Sequence, residues 1–294
     1  MKMLLGALGY DSAKEGYTGP NWSIQVAKRA LNIGLDDDLV GDFNGVKAVN
    51  REEACLYSLN TLTATMVEYE KNSTVTVGNI TIKDQSSAKD MVNTGKTDGK
   101  IFKADGKMQF AEKYFDNLSV TKGSDDFARP ANVWKLKAEK IGTYADTADL
   151  TYTKSVDVCD IYKDLGLGSK IEKKDVSVYV DGVVDPENKI VPVAITKDND
   201  DDSYGANGVL TEVFYDDDAD TVTITEVNTY VGEISKTVKA TSKKDAYVVV
   251  IPEGVKPTSM KNSEEFETTA SFDDDAYVLY TYSLKEKEIE SVAA

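Results

Sequence analysis

The hydrophobic period of this chain changes once, near Tyr69, and a chain that changes period cannot be one helical bundle or one all-β domain. Before the change, Trp22, Val26, Ala30 and Ile33 recur at helical spacing, and Ala27 and Leu31 widen the stripe. Asn21, behind Pro20, is the predicted N-cap of this helix, and Gly34 its predicted stop. A short acidic loop over 35–39 follows. A second helix is predicted to open at Asn50, whose side chain can accept from the Glu53 amide while the Glu53 carboxylate reaches back to the Asn50 amide. Cys55, Leu56, Leu59, Leu62 and Met66 supply its predicted apolar face.

Beyond Tyr69, helix formers give way to Thr, Val, Tyr and Asp in alternation. Residues 75–82 read as a hairpin turned at Gly78-Asn79. Strands are predicted at 113–115, 118–120, 133–136, 141–145 and 150–153, with a loop over 125–130. A short helix over 157–165 is stopped by Gly166 and Gly168. Strands then resume at 176–180, turned by Asp181-Gly182, and at 190–195, where Pro192 favours an edge position. Residues 208–215 and 221–225 flank an acidic tip, and 246–251 and 277–282 complete the series. The expected fold class is α+β and multidomain: a small all-α module followed by mainly β, sandwich-like domains. The expected segments are 1–10, 11–70, 71–153 and 154–294, the third boundary resting on the helical insertion near Thr153.

Composition narrows the chemistry. Among 294 residues, 51 acidic side chains face 34 basic ones, a net charge of −17. Nucleic acid is therefore an improbable partner, since phosphate binding needs a basic footprint. An anionic membrane surface is disfavoured for the same reason, and no stretch approaches the ~20 apolar residues of a membrane span. Histidine is absent, which removes Ser-His and Cys-His nucleophile pairs and the commonest zinc ligand. Cys55 and Cys159 read as buried, inert thiols rather than a disulfide.

One set of residues carries a family resemblance. Gly41 and Phe43, followed by Val49, Asn50, Arg51, Glu52, Glu53 and Ala54 at the start of a helix, resemble the second half of an S-layer homology module. That family shows G-x-F-x-P and then I-T-R-x-E-x-A. Upstream, the Trp22-led helix closing on Ile33-Gly34-Leu35 is similar to the module's first half. Gly45 stands where the family has proline and Asn50 where it has threonine. Residues 16–20 replace the usual F-x-D-V. The resemblance covers about the first quarter of the chain, and it implies a tether to an acidic cell-wall polysaccharide, with Arg51 helping to grip the polymer. An arginine fork suits a carboxylate because it binds it bidentately. Trp22 has two readings, a buried anchor of the module core or a stacking platform for a sugar. On this reading residues 1–10 are the tail of a preceding module and the carboxyl end is cut. The protein is then expected outside the cell, at the wall or in a surface layer.

The acidic clusters at 36–38, 198–202, 216–218 and 273–275 offer the oxygen ligands of a calcium site, but EF-hand spacing fails at each. Solvated turns are the expected role, so no cofactor is assigned and calcium stays an alternative. Carboxylate pairs of a hydrolase cannot be picked out by spacing. The expected function is thus a non-enzymatic surface-layer-type protein whose β domains are spacer or adhesive region, with self-association in a layer as a second partner class. The alternatives are a wall-anchored polysaccharide-active enzyme and a calcium-dependent adhesion module.

Overall fold

The computed structural model describes residues 1–70, 74–77, 80–83, 87–184 and 190–294. These form a mixed α/β chain dominated by strands, with nineteen strands, five α-helices and one 3-10 turn among the described residues. Two compact units divide it: Met1–Lys122 with Val133–Gly142, and Gly123–Asn132 with Thr143–Ala294.

The first unit opens with helices α1 (Lys2–Ala7), α2 (Trp22–Asn32) and α3 (Arg51–Thr63). Helix α2 ends as expected. Gly34 adopts φ +69°, and the Leu35 amide returns to the Ala30 carbonyl at 3.0 Å. Its start differs, because Asn21 sits near φ −101°, ψ 14°, away from the extended conformation a side-chain cap needs, and makes no such bond. At α3 the reciprocal pair is present. Asn50 Oδ1 accepts from the Glu53 amide and Glu53 Oε2 from the Asn50 amide, both at 2.8 Å.

The buried face of α3 matches the predicted one only in part: Leu62 packs on a core with Ile101 and Trp134, and Met66, just past the helix, is buried. Tyr57 and Thr61, one turn apart, point inward, while Cys55 and Leu59 are exposed. Thr61 tolerates burial because its hydroxyl donates to the Tyr57 carbonyl at 2.7 Å. The Asn60 side chain donates to the Asp37 carbonyl at 2.9 Å and so fixes α3 to the loop after α2. Cys55 is thus an exposed thiol, and Cys159 is half-buried.

The core of this unit joins Leu5, Leu8, Tyr17, Val26, Ala30 and Leu35 to Met66 and Val67, with Met91, Met108 and Phe110 packed against them. Strand β1 (Val67–Glu68) pairs antiparallel with β4 (Lys89–Asp90), and between them β2 (Thr74–Val77) pairs with β3 (Ile80–Lys83). The Gly78-Asn79 turn predicted for that hairpin lies outside the described residues. Gly9, at φ +103°, lies so close to the chain that a Cβ there would meet the Val67 carbonyl oxygen at 2.2 Å.

Where a strand was expected at 113–115, the chain forms helix α4 (Phe110–Tyr114). The helical turn sends Ala111 and Glu112 inward. The buried Glu112 carboxylate accepts from Asn93 Nδ2 at 2.7 Å and from the Gly99 amide at 3.1 Å, a closure that an extended segment would not make. A second small core, Ile101, Ala111, Val120 and Trp134, packs with Leu62 and Leu118. Strands β5 (Leu118–Ser124), β6 (Pro130–Leu136) and β7 (Glu139–Ala145) form a three-stranded meander.

In the second unit, β8 (Leu150–Tyr152) is followed by β9 (Val156–Asp157), helix α5 (Val158–Asp164) and a 3-10 turn (Lys173–Asp175). Next come β10 (Val176–Val180), β11 (Val183–Val184), β12 (Ser203–Tyr204), β13 (Val209–Asp216) and β14 (Thr221–Asn228). A five-stranded sheet has the order β11-β10-β14-β13-β8. It is mixed: β13 and β14 form the expected hairpin, whereas β10 runs parallel to β14, Val176 facing Val222. Strand β8 pairs with β13, so segments on either side of Thr153 share one sheet. Val158 and Ile161 of α5 pack on Val176, Val178, Val213, Val222 and Ile224. The strand expected at 190–195 is reduced to a single bridge between Ile171 and Ile195. There the Tyr204 hydroxyl accepts from the Val193 amide at 3.3 Å and donates to the Val191 carbonyl at 3.2 Å, replacing a strand partner.

Strands β15 (Tyr230–Val238), β16 (Tyr247–Glu253), β17 (Glu264–Glu267), β18 (Tyr277–Ser283) and β19 (Glu288–Ala293) form an antiparallel sheet ordered β17-β16-β15-β18-β19. Its outermost strands β17 and β19 approach each other, so the sheet curls into a near-barrel. Register shifts at Ile234/Lys236 and Thr281/Tyr282 accompany the curl, as bulges bend the strands that hold them. Ile234, Val248, Val250, Val278, Tyr280 and Tyr282 fill the inside. The predicted sandwich is thus replaced by a helix-covered mixed sheet and a curled sheet, each with its own core. Asp181, at the β10–β11 turn, is fully buried and accepts from the Asn228 amide, Asn228 Nδ2 and the Tyr230 hydroxyl at 2.7–3.0 Å.

Candidate functional site

The two residues singled out by sequence, Trp22 and Arg51, stand at the first positions of α2 and α3. Of the two readings of Trp22, the buried anchor fails, because the side chain remains 44% exposed. It lines a groove of about 400 Å³ between α1, α2, the 43–49 loop and α3, with Leu4, Val26, Phe43, Val49 and Tyr57. The groove is mainly apolar, with a few charges. Lys2 Nζ lies 5.1 Å from the Trp22 ring centroid and also donates to the Tyr17 carbonyl at 2.7 Å, which fixes the ammonium beside the indole.

Across the groove, Lys47 Nζ meets Glu53 Oε1 at 2.9 Å. The Glu53 carboxyl is held below its ordinary range, first by the Asn50 amide and then by Lys47. Glu53 is therefore committed to the cap and to Lys47. Arg51 is exposed and makes no ion pair or hydrogen bond among the described residues. Ala54 and Ser58, which line the groove, lie three and seven positions after it, on the same face of α3. Arg51 itself is not among the residues that line the groove; it stands one turn before Ala54 at the start of α3. The arrangement offers an aromatic surface for the C–H face of a ring, with cationic groups for an acidic substituent.

Sequence reasoning named Trp22 and Arg51 but passed over Lys2, Phe43 and Lys47 as site residues. Lys2 lies in a segment assigned to another module, and its place beside Trp22 arises only when α1 packs on α2. The signal that could have found the set is the presence of Lys2, Lys47 and Arg51 beside motif residues in so acidic a chain.

Asp216 Oδ1 accepts from the Ala219 amide at 2.9 Å within its turn, Asp274 Oδ1 accepts from the Thr237 amide of β15 at 3.2 Å, and Asp38 and Asp275 adopt positive φ. Burial, with Asp36 and Asp38 beside it, raises the Asp37 carboxyl above its ordinary range. Among the described residues, no group of three or more His, Cys, Asp or Glu side chains is arranged to hold a metal ion. No helix of the described residues is long and apolar enough to cross a membrane. No protein-family model, no curated protein and no solved structure matches the chain.

Proposed function

We propose that this chain is a non-enzymatic surface-layer-type protein that holds an acidic cell-wall polysaccharide in the groove between α1, α2 and α3. Its strand-rich remainder serves as spacer or adhesive region. The observation that carries the reading is the half-exposed Trp22, with the Lys2 ammonium beside it, in a groove whose α3 wall holds Ala54, one turn after the exposed Arg51. Further support comes from the resemblance of residues 41–54 to the S-layer homology motif and from the Asn50–Glu53 capping pair. In this division of labour Trp22 stacks on a sugar ring, Arg51 grips its carboxylate, and Asn50 with Glu53 keep the helix terminus in place.

The test is co-sedimentation of the full chain with purified wall sacculi, before and after the non-peptidoglycan polymer is stripped. Binding is expected before stripping and not after it. Trp22→Ala and Arg51→Ala are each expected to weaken it about tenfold or more, the loss of a charge-assisted contact being worth roughly 1.5–3 kcal/mol. Equal binding to stripped sacculi, or wild-type binding by both variants, overturns the reading.

A further inference from the structure

Helix α2 has a second recessed side. Trp22, Val26 and Ala27 line the groove, whereas Gln25, Lys28, Arg29 and Asn32, together with Glu15, line a separate polar recess of about 280 Å³. That volume lies just under the ~300–1,000 Å³ of ligand pockets and suits one sugar unit rather than a length of polymer.

The cation in this recess is set in advance. Arg29 Nη2 meets Glu15 Oε2 at 2.8 Å, and the Arg29 guanidinium lies 5.1 Å from the Tyr10 ring centroid. Glu15 is pinned in turn by the Tyr69 hydroxyl, which donates to Oε1 at 2.8 Å. The Tyr17 hydroxyl is buried near Arg29 and Glu15. Around this fixed core, the Lys28 ammonium and the Gln25 and Asn32 amides hold no partner among the described residues. The recess therefore presents two cations, one carboxylate and two amides, a net charge of about +1 within a chain of −17.

We infer that this recess is a binding site for one carboxylated sugar unit, a uronate. Its carboxylate lies against Lys28 and Arg29, and its hydroxyls pair with the Gln25 and Asn32 amides and with Glu15. The Glu15 carboxylate, already accepting from Arg29 and Tyr69, opposes a dianion such as phosphate more than a carboxylate of single charge. Arg29, already oriented, loses little freedom on binding. The site stands on observations separate from the groove.

Saturation-transfer NMR on the full chain tests it with sodium D-glucuronate as probe and D-glucose and inorganic phosphate as competitors. Transfer to glucuronate is expected, with weak displacement by either competitor. Lys28→Gln alters an exposed side chain and is expected to weaken glucuronate about tenfold, the scale of one charge-assisted hydrogen bond. Arg29→Lys, with folding verified by circular dichroism, is expected to weaken it as well. Absence of transfer, an unchanged Lys28→Gln variant, or displacement by phosphate as strong as by glucuronate overturns the site. Loss of glucuronate in Trp22→Ala but not in Lys28→Gln assigns the ligand to the groove and overturns it too. Retained glucuronate binding in a chain that ignores wall sacculi removes the proposed polymer reading and leaves this site intact.

Discussion

The helical segment at the start of the chain and the near-barrel at its end both bury tyrosines, and they differ in where they leave an aromatic ring in water. The near-barrel places Tyr280 and Tyr282 fully inside, and its edge strand β17 carries Glu264, Glu265 and Glu267. The helical segment buries Tyr10, Tyr17 and Tyr57 but leaves Trp22, Ile24, Leu31 and Val46 exposed. An aromatic ring left half in water costs apolar burial worth roughly 1.5–3 kcal/mol for a large side chain. The near-barrel leaves Tyr277 on the outer face of β18, whereas the helical segment leaves Trp22 lining a groove.

The sharpest way to break this contrast is Tyr280→Ala. The ring stacks on Tyr230 at 5.5 Å and its hydroxyl reaches Met260 Sδ at 3.2 Å. Truncation of such a ring costs about 3–5 kcal/mol, read as a lower denaturant midpoint for the unit containing the near-barrel. A midpoint within experimental error of wild type shows that the near-barrel does not depend on its aromatic core.

Asn50→Ala is expected to cost about 1 kcal/mol, confined to the unfolding of the helical unit. Loss of wall binding in this variant without loss of stability moves Asn50 from the cap to the ligand.

The smallest effect depends on pH. Burial, then Asp126, Glu288, Glu286 and Asp125, pushes the Glu290 carboxyl up to about 7 from 4.5, and its buried Oε1 has no hydrogen-bond partner. A raised carboxyl favours the protonated form in the fold. Its stabilisation is complete below 4.5 and is lost as pH rises through about 7. The Tm of this unit should therefore fall between about pH 5 and pH 8, and Glu290→Gln should flatten the fall and raise stability at the upper end. An identical pH profile for the variant assigns the dependence to other groups.

What was legible in the sequence was local. The Asn50–Glu53 pair, the Gly34 stop, helix α5 ending at Gly166 and the hairpin around 216–221 each depend on contacts a few residues apart. What was not legible depended on distant partners or on backbone states without a residue signal. The β6–β7 turn is built from Lys137 and Ala138, both at positive φ, where glycine or asparagine would have announced it. Strand β17 is nearly all glutamate and reads as a charged loop until its pairing with β16 is known. Strand β10 takes β14 as its parallel neighbour, a choice that no local pattern encodes. For the site the division is the same: Trp22, Phe43 and Arg51 stood out by motif, whereas Lys2 comes to lie beside Trp22 only through folding.

The residues just after α3 have a mechanical consequence. The Met66 amide donates to the Met108 carbonyl, the Met91 amide to the Met66 carbonyl and the Val67 amide to the Leu8 carbonyl, each at 2.8 Å. Two consecutive residues are thereby clipped to three separate stretches of chain. Tension arriving through Tyr69 meets these clips before it reaches α3, and the pull is divided among α1, the 91–108 loop and the underlying core. The C-terminal end of α3 is thus braced by a knot of backbone bonds one turn downstream.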